Sequence, residues 1–271
     1  MFHNQMRQHA QHVASQLSLA RVALSEESVI PNYQPKIDLR TGEVAGFEAL
    51  LRWRHPRFGI QLPETVAEAF KDYELASRIG DLMQRKVLHD LRRWQDRGFI
   101  LGPVSLNAAP AEFLRDDYAE RLLKIIADAG VSPRAVEVEV TEHVFFDRAA
   151  EFVARALRVL NEAGVRIALD DFGTGYSSLS HLRDFPVDVV KIDHSFISKM
   201  TEEPEIGAIV SAVIDLARSL RIDVVAEGVE TKEQRDVLAM KGCSFGQGYL
   251  FGHAAEADEV QLLLRRVQAA A

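Results

Sequence analysis

Apolar residues recur along this chain in two rhythms that take turns. Short runs with period-two alternation or continuous apolar character predict strands at Tyr33–Leu39, Val44–Trp53, Pro103–Asn107, Val136–Thr141, Arg166–Asp170, Asp188–Ile192, Asp223–Glu227 and Gly246–Leu250. Between most of them apolar residues return every three or four positions. Ile206, Ile209, Val210, Val213, Ile214, Ala217 and Leu220 form one such helical stripe. Thr231 and Gln234 have the spacing of a capping box opening the next helix. Arg40-Thr-Gly-Glu43 reads as a hairpin turn, so one of the first two strands runs antiparallel to the rest. Eight strands alternating with helices predict an α/β fold, a TIM-like (β/α)8 barrel with one antiparallel strand. A doubly wound open sheet is the alternative, but the early Gly-x-Gly-x-x-Gly turn expected of it is missing.

Residues 1–28 predict a polar helix or linker with Val13, Leu17, Ala20 and Leu24 on one stripe, and residues 29–271 the barrel. His3, His9 and His12 read as a solvated terminus, because no other ligand type accompanies them. The total of 271 residues suits one barrel, which typically takes about 250. No apolar run of about 18 residues is present to span a membrane, and the N-terminus lacks a signal-peptide pattern. The single cysteine, Cys243, excludes an internal disulfide and cysteine-rich zinc sites and fits a reducing, cytoplasmic setting. With 32 basic and 40 acidic residues the net charge is −8, which argues against sequence-blind binding to polymeric nucleic acid. An anionic ligand would need local cations or metal ions.

Charge is nonetheless placed with a pattern. Glu48, Asn107, Glu139, Asp170, Lys191, Glu227 and Gln247 all fall at or near the C-terminal ends of predicted strands, the end that carries chemistry in this fold. In Val136-Glu-Val-Glu-Val-Thr141 the valines can face the helices, which turns Glu137 and Glu139 toward the barrel interior. A core salt bridge explains any one of these residues; it does not explain all seven. The pair Asp170 and Asp171 at a strand end needs a cation or strong donors to offset mutual repulsion. Carboxylates with an asparagine oxygen, and no cysteine or histidine among them, suit Mg²⁺ or Mn²⁺. Two such ions can bridge a phosphoryl oxygen and activate water. Arg52 shares a strand face with Glu48, roughly 13 Å along it at ~3.3 Å per residue, and can reach a phosphate at the far side of a large ligand. The residues point to a metal-dependent phosphodiesterase or phosphatase.

An ordered set of motifs sharpens this. The chain carries Tyr33-Gln-Pro35, Glu48-Ala-Leu-Leu-Arg52 with Trp53 and His55-Pro56, Ser105-Leu-Asn107, Glu139-Val-Thr-Glu142, Asp170-Asp-Phe-Gly-Thr-Gly-Tyr-Ser-Ser178, Lys191-Ile-Asp193, Ala226-Glu-Gly-Val-Glu230 and Gln247-Gly-Tyr249. In this order they resemble the EAL domain family of cyclic di-GMP phosphodiesterases. The resemblance implies hydrolysis of cyclic di-GMP to linear 5′-pGpG. It implies that Glu48, Asn107, Glu139 and Asp170 hold one of two metal ions and that Asp171 reaches the second. Lys191 resembles the residue that orients the attacking water, and Glu227 the acid that positions it. Gln34 and Arg52 would grip the ligand backbone, with Gln247 near the water and metals. Glu142 resembles a residue that steadies the Asp170–Ser178 loop, through which family members couple homodimerisation to activity, and Glu230 a supporting acid. Relatives are commonly output domains of longer sensory proteins, with a helix such as residues 1–28 arriving from upstream.

The chain departs from the family pattern at Phe70, Lys71, Glu74, Ala109 and Ala254, none of them a metal ligand. These departures bear on affinity, groove shape or regulation more than on chemistry. Two other readings compete: a silent cyclic di-GMP receptor and a scaffold for a protein partner. A receptor usually lacks a ligand residue or the loop motif, and all are present here.

Overall fold

The computed structural model describes residues 2–99, 101–145, 150–173 and 179–270. Helix α1 (Phe2–Ser25) leads into β1 (Val29–Asp38) and β2 (Val44–His55); a short β3 (Gly59–Gln61) folds back on β2. A 3₁₀ segment, Pro63–Lys71, precedes α2 (Tyr73–Asp96). Strands and helices then alternate through β4 (Val104–Asn107), α3 (Tyr118–Ala129), β5 (Val136–Thr141), α4 (Ala150–Glu162), β6 (Arg166–Phe172), α5 (Leu179–Asp184) and β7 (Val189–Ile192). There follow α6 (His194–Ile197), α7 (Pro204–Leu220), β8 (Asp223–Ala226), α8 (Lys232–Lys241), β9 (Phe245–Gly246), β10 (Ala255–Glu256) and α9 (Ala257–Ala270).

β1 closes the barrel by pairing antiparallel with β2 on one side and with β9 on the other. The remaining barrel strands, β2 and β4 through β9, are parallel neighbours in that order. The predicted antiparallel strand is therefore β1. Its turn to β2 forms as expected: the Asp38 carboxylate accepts from the backbone N–H groups of Arg40 and Thr41, and Gly42 supplies a φ of 77°. The capping box at α8 is also present, with Gln234 N–H donating to Thr231 Oγ1 and Thr231 N–H to Gln234 Oε1.

Two boundaries differ from expectation. β1 begins at Val29, because Val29, Pro31 and Tyr33 continue its buried alternation; prolines at 31 and 35, which cannot donate to a ladder, obscure that pattern. The last barrel strand is Phe245–Gly246 and not Gly246–Leu250. The backbone turns away at Gly248, so close to Val229 that a Cβ there would meet its nitrogen at 2.3 Å. The α7 stripe is wider than the face it buries: Val210, Ile214 and Ala217 are buried, while Ile209 and Leu220 at the stripe's edge are 45% exposed.

The sheet has two kinds of interior. Outward-facing Val136, Val138 and Val140 join the main core with Leu122, Ile126 and Leu157 from the helices. Each such fully buried aliphatic contributes about 1.5–3 kcal/mol. Inward-facing side chains form layers. Beneath the C-terminal ends of the parallel strands, one layer is half polar, with Lys36 bonded to Ser105 and to Glu137 at 2.6 Å. Its other half is apolar, built from Ala168, Val189 and Val225 with Phe245. A second core holds α1 to the barrel side, where Ala20 and Ala23 lie among Trp53, Val66, Ala69, Leu75 and Ile79.

Candidate active site

Moving two residues along each strand from the middle layer leads to the site: Gln34 above Lys36, Asn107 above Ser105, Glu139 above Glu137, Asp170 above Ala168, Lys191 above Val189 and Glu227 above Val225. Period-two geometry thus places all of them on the inner face at one end. Lys191 is the centre. Its Nζ lies 2.6 Å from Glu139, 2.8 Å from Glu227, 3.2 Å from Asp170 and 3.5 Å from Glu48. Asn107 Nδ2 donates to Glu48 Oε1 at 2.8 Å, and Gln247 Nε2 to Glu48 Oε2 at 2.6 Å. Gln247 Nε2 also lies 3.1 Å from Gln34 Oε1, whose own amide donates to the Gly252 carbonyl.

One ammonium faces four carboxylates, and the pKa values of the group are displaced accordingly. Burial raises the Glu48 carboxyl, but Lys191, Asn107 and Gln247 outweigh it and hold the group at about 2. Glu139 is pushed well up, first by burial and then by the Glu48 charge. Burial, with Asp170 and Glu48, raises Glu227 to about 7 against the pull of Lys191. Burial alone would lower Lys191, yet Glu139 and Glu227 hold it far above the ordinary lysine value, so it stays charged. The excess of negative charge fits hard divalent cations. Two observations fit them too: Glu139 Oε1 is buried without a hydrogen-bond partner among the described residues, and oxygens of Asp170, Asp171 and Glu227 lie within 4.8 Å of one another.

Asp171 is exposed with φ 55°, a left-handed conformation that aspartate tolerates better than most residues, and its N–H donates to Asp170 Oδ1 at 3.0 Å. Gly228, at φ 67°, turns the chain directly after Glu227, where a Cβ would lie 2.6 Å from His194 Cβ. Glu230 lines the same cleft, of about 330 Å³, with Lys191, Glu227 and Gln247. Glu142 is buried at the start of the 3₁₀ turn Glu142–Phe145 that follows β5. Residues 174–178 of the Asp170–Ser178 loop lie outside the described residues.

A second cavity of about 350 Å³ shares Glu48 and Leu50 with the first and extends past Asn107. Arg52 lines it together with Leu50, Pro63, Phe70, Ile79 and Met83, which makes it largely apolar. Sequence reading placed Arg52 at the edge of the site but missed the apolar wall. Apart from Leu50 on β2, these apolar residues come from α2 and the 3₁₀ segment, and nothing local in them signals a pocket. Lys36 was also missed, although its position two residues after Gln34 on the same strand face was a usable signal.

Fold and site together define an α/β barrel with a buried polycarboxylate centre at the C-terminal strand ends. The sequence model of the EAL domain matches residues 18–254, and the chain belongs to the EAL domain family. It is 38% identical over 244 residues to an uncharacterized signaling protein of Caulobacter vibrioides, covering 89% of this chain and 29% of that protein. It is 36% identical over 249 residues to the cyclic di-GMP phosphodiesterase PA2567 of Pseudomonas aeruginosa, covering 92% of this chain and 42% of that protein. The chain thus spans less than half the length of these relatives. Among solved structures, the MucR phosphodiesterase in complex with c-di-GMP superposes with a TM-score of 0.84 at 33% identity, covering 90% of this chain and 99% of that one. The EAL domain of Mycobacterium smegmatis DcpA gives a TM-score of 0.74 at 33% identity, covering 89% and 97%.

Proposed function

We propose that this chain hydrolyses cyclic di-GMP to linear 5′-pGpG and so lowers the level of this second messenger. The observation that carries the reading is the buried cluster of Glu48, Glu139, Asp170 and Glu227 around Lys191, opening into a cavity that Arg52 lines. Relatives that bear the names of cyclic di-GMP phosphodiesterases, one of them solved with c-di-GMP, support the choice of substrate.

In this reading Glu48, Asn107, Glu139 and Asp170 hold one Mg²⁺ or Mn²⁺ and Asp171 contributes to a second. When bound, such ions supply Lewis acidity toward the phosphoryl group and water. Lys191 stays protonated and orients the attacking water from the floor of the site, while Glu227 positions it from the side. Water adds at one phosphorus, the bond from phosphorus to the ribose 3′-oxygen breaks, and that oxygen takes up the proton the water gives up, which opens the ring to a 3′-hydroxyl and a 5′-phosphate. Gln34, Gln247 and Arg52 bind the ligand's phosphate–ribose backbone, Arg52 from the adjoining cavity. Glu142 and Glu230 support the surrounding loops. The family resemblance further supports a homodimer around the Asp170–Ser178 loop, a cytoplasmic place of action, and residues 1–28 as the lead from an upstream signalling domain. No helix among the described residues is long and apolar enough to cross a membrane.

The test is turnover of cyclic di-GMP with Mg²⁺, Mn²⁺ or chelator, the products separated as pGpG and GMP. Metal-dependent pGpG formation is expected, with loss of at least about 100-fold in kcat for Glu48→Ala. Near-normal turnover by that variant would remove Glu48 from the metal set. Tight binding with no cleavage by the unmodified protein would make it a receptor.

A further inference from the structure

Gln16, on α1, is 9% exposed, and its amide reaches the 3₁₀ segment Pro63–Lys71. Its Oε1 accepts from the Glu68 N–H at 2.9 Å, and its Nε2 donates to the Glu64 carbonyl at 3.2 Å. The same nitrogen lies 3.0 Å from His12 Nε2, one turn earlier on α1. The amide's orientation is forced, because a backbone N–H only donates and a carbonyl only accepts. The Glu64 carbonyl and the Glu68 N–H are the two groups that an α-helix would join directly. Gln16 stands in place of that bond. Midway between them the backbone opens, with Val66 at φ −129° and ψ 20° inside an otherwise helical stretch. A side chain inserted into a helical ladder is one of the identifiable causes of a kink.

The segment on either side of the kink builds the apolar cavity: Pro63 lies before Val66 and Phe70 after it, and both line the space beside Glu48, Arg52 and Asn107. We infer that Gln16 is a positioning residue for substrate, an amide wedge from the N-terminal helix that fixes the cavity wall and thereby sets affinity. The inference rests on the activity proposed above. Trp53 Nε1 donates to Thr65 Oγ1 at 2.9 Å, and Thr65 Oγ1 to the Leu62 carbonyl, so the near end of the segment is anchored to β2 independently. With the wedge removed, Glu64 and Glu68 can bond to each other, Val66 can turn helical, and the displacement falls on the Phe70 side. Glu48 and Asn107 sit on β2 and β4 across the cavity and keep their places. Affinity changes, and the reacting groups do not.

The experiment uses the full chain with Gln16→Ala and the isosteric Gln16→Glu, which keeps the acceptor for Glu68 and loses the donor to Glu64. Ser18→Ala, exposed on the same helix, serves as the control. KM for cyclic di-GMP is expected to rise about tenfold in Gln16→Ala while kcat stays within about twofold. Hydrogen exchange, measured without ligand, is expected to change in residues 62–72 and nowhere else. Unchanged exchange in that segment in both variants overturns the inference, as does a fall in kcat at constant KM. If Gln16→Ala does not fold, Gln16→Glu carries the same two readouts. If the unmodified protein neither binds nor cleaves cyclic di-GMP, the proposed activity fails and the affinity role fails with it. An active parent with unmoved variants sinks the wedge alone.

Discussion

Lys191 is 1% exposed, and its ammonium touches four carboxylates, of which Glu139 is as buried as itself and Glu48 nearly so. Breaking a buried ion pair from one side costs about 3–5 kcal/mol, because it leaves charge without compensation. Lys191→Met removes the charge and keeps most of the volume, so with chelator present its unfolding free energy should drop by about that amount. In the proposed mechanism divalent cations bind the same carboxylates, so saturating Mn²⁺ should narrow the gap between variant and parent. Turnover in the variant should still be down by about 100-fold or more, since the proposed mechanism loses its fixed charge beside the reacting water. Thermal or denaturant unfolding with and without metal measures the first two effects. A stability gap that ignores metal would mean that Lys191 and the cations do not share the same carboxylates.

Glu112 belongs to the 3₁₀ turn Pro110–Phe113, directly after the Asn107 strand. Its Oε1 accepts from Ala109 N–H at 2.9 Å, but Ala109 has no hydroxyl to return the favour, so only half of a capping box exists. Its other oxygen packs over α2 at Gly80, where a Cβ would come within 2.3 Å of it. Burial pushes this carboxyl up to about 8, opposed by the Ala109 N–H and Arg121 and assisted by Asp81. The folded chain therefore holds a proton between an ordinary 4.5 and about 8 that the unfolded chain has lost. The linked stability is fully present below the unfolded value, declines as pH rises through that window, and levels off above about 8. The steepest decline is about 1.4 kcal/mol per pH unit. Glu112→Gln keeps the acceptor for Ala109 and has no proton to lose. Its advantage over the parent should grow from pH 5 to pH 8 in denaturant titrations with Mg²⁺ held saturating. A difference between the two proteins that does not vary with pH would show Glu112 to be ionised in the fold.

Elements of this kind also mark how far the sequence can be read. β5 was legible to the residue, because Val136-Glu-Val-Glu-Val-Thr141 has strict alternation and both of its faces are buried. The capping box at Thr231 was legible because all its groups lie within four residues. β9 was misjudged because Gly248 is needed for a close approach to Val229, a contact with another segment that no local pattern announces. The site acids were legible because barrel geometry maps strand ends onto one face. The cavity wall was not, since Gln16 meets Glu64 and Glu68 across 48 and 52 residues of chain. Local chemistry shows in a sequence; a wedge between distant segments does not.

At the scale of the molecule, the question is where the barrel unit begins. Residues 7–12 of α1 are exposed, whereas Ala20 and Ala23 are buried in the second core and the family match starts at residue 18. Small side chains at 20 and 23 let the helix approach Trp53, Val66, Ala69, Leu75 and Ile79, and nothing else among the described residues of that cluster replaces it there. Deleting residues 1–11 should leave the melting temperature within a degree or two of the parent, because it removes solvated turns and spares both His12 and Gln16. Deleting residues 1–25 uncovers the second core. If only ~200 Å² of apolar surface is exposed, the loss is about 5 kcal/mol at ~25 cal/mol per Å², a large share of the ~5–15 kcal/mol that holds a typical domain together. That truncation should therefore melt far lower or aggregate on expression, even though every residue of the polycarboxylate centre is retained. Calorimetry on the two truncations separates the alternatives. Equal melting of both would show the helix to be an appendage, and its packing against Trp53 and Val66 to be without energetic weight.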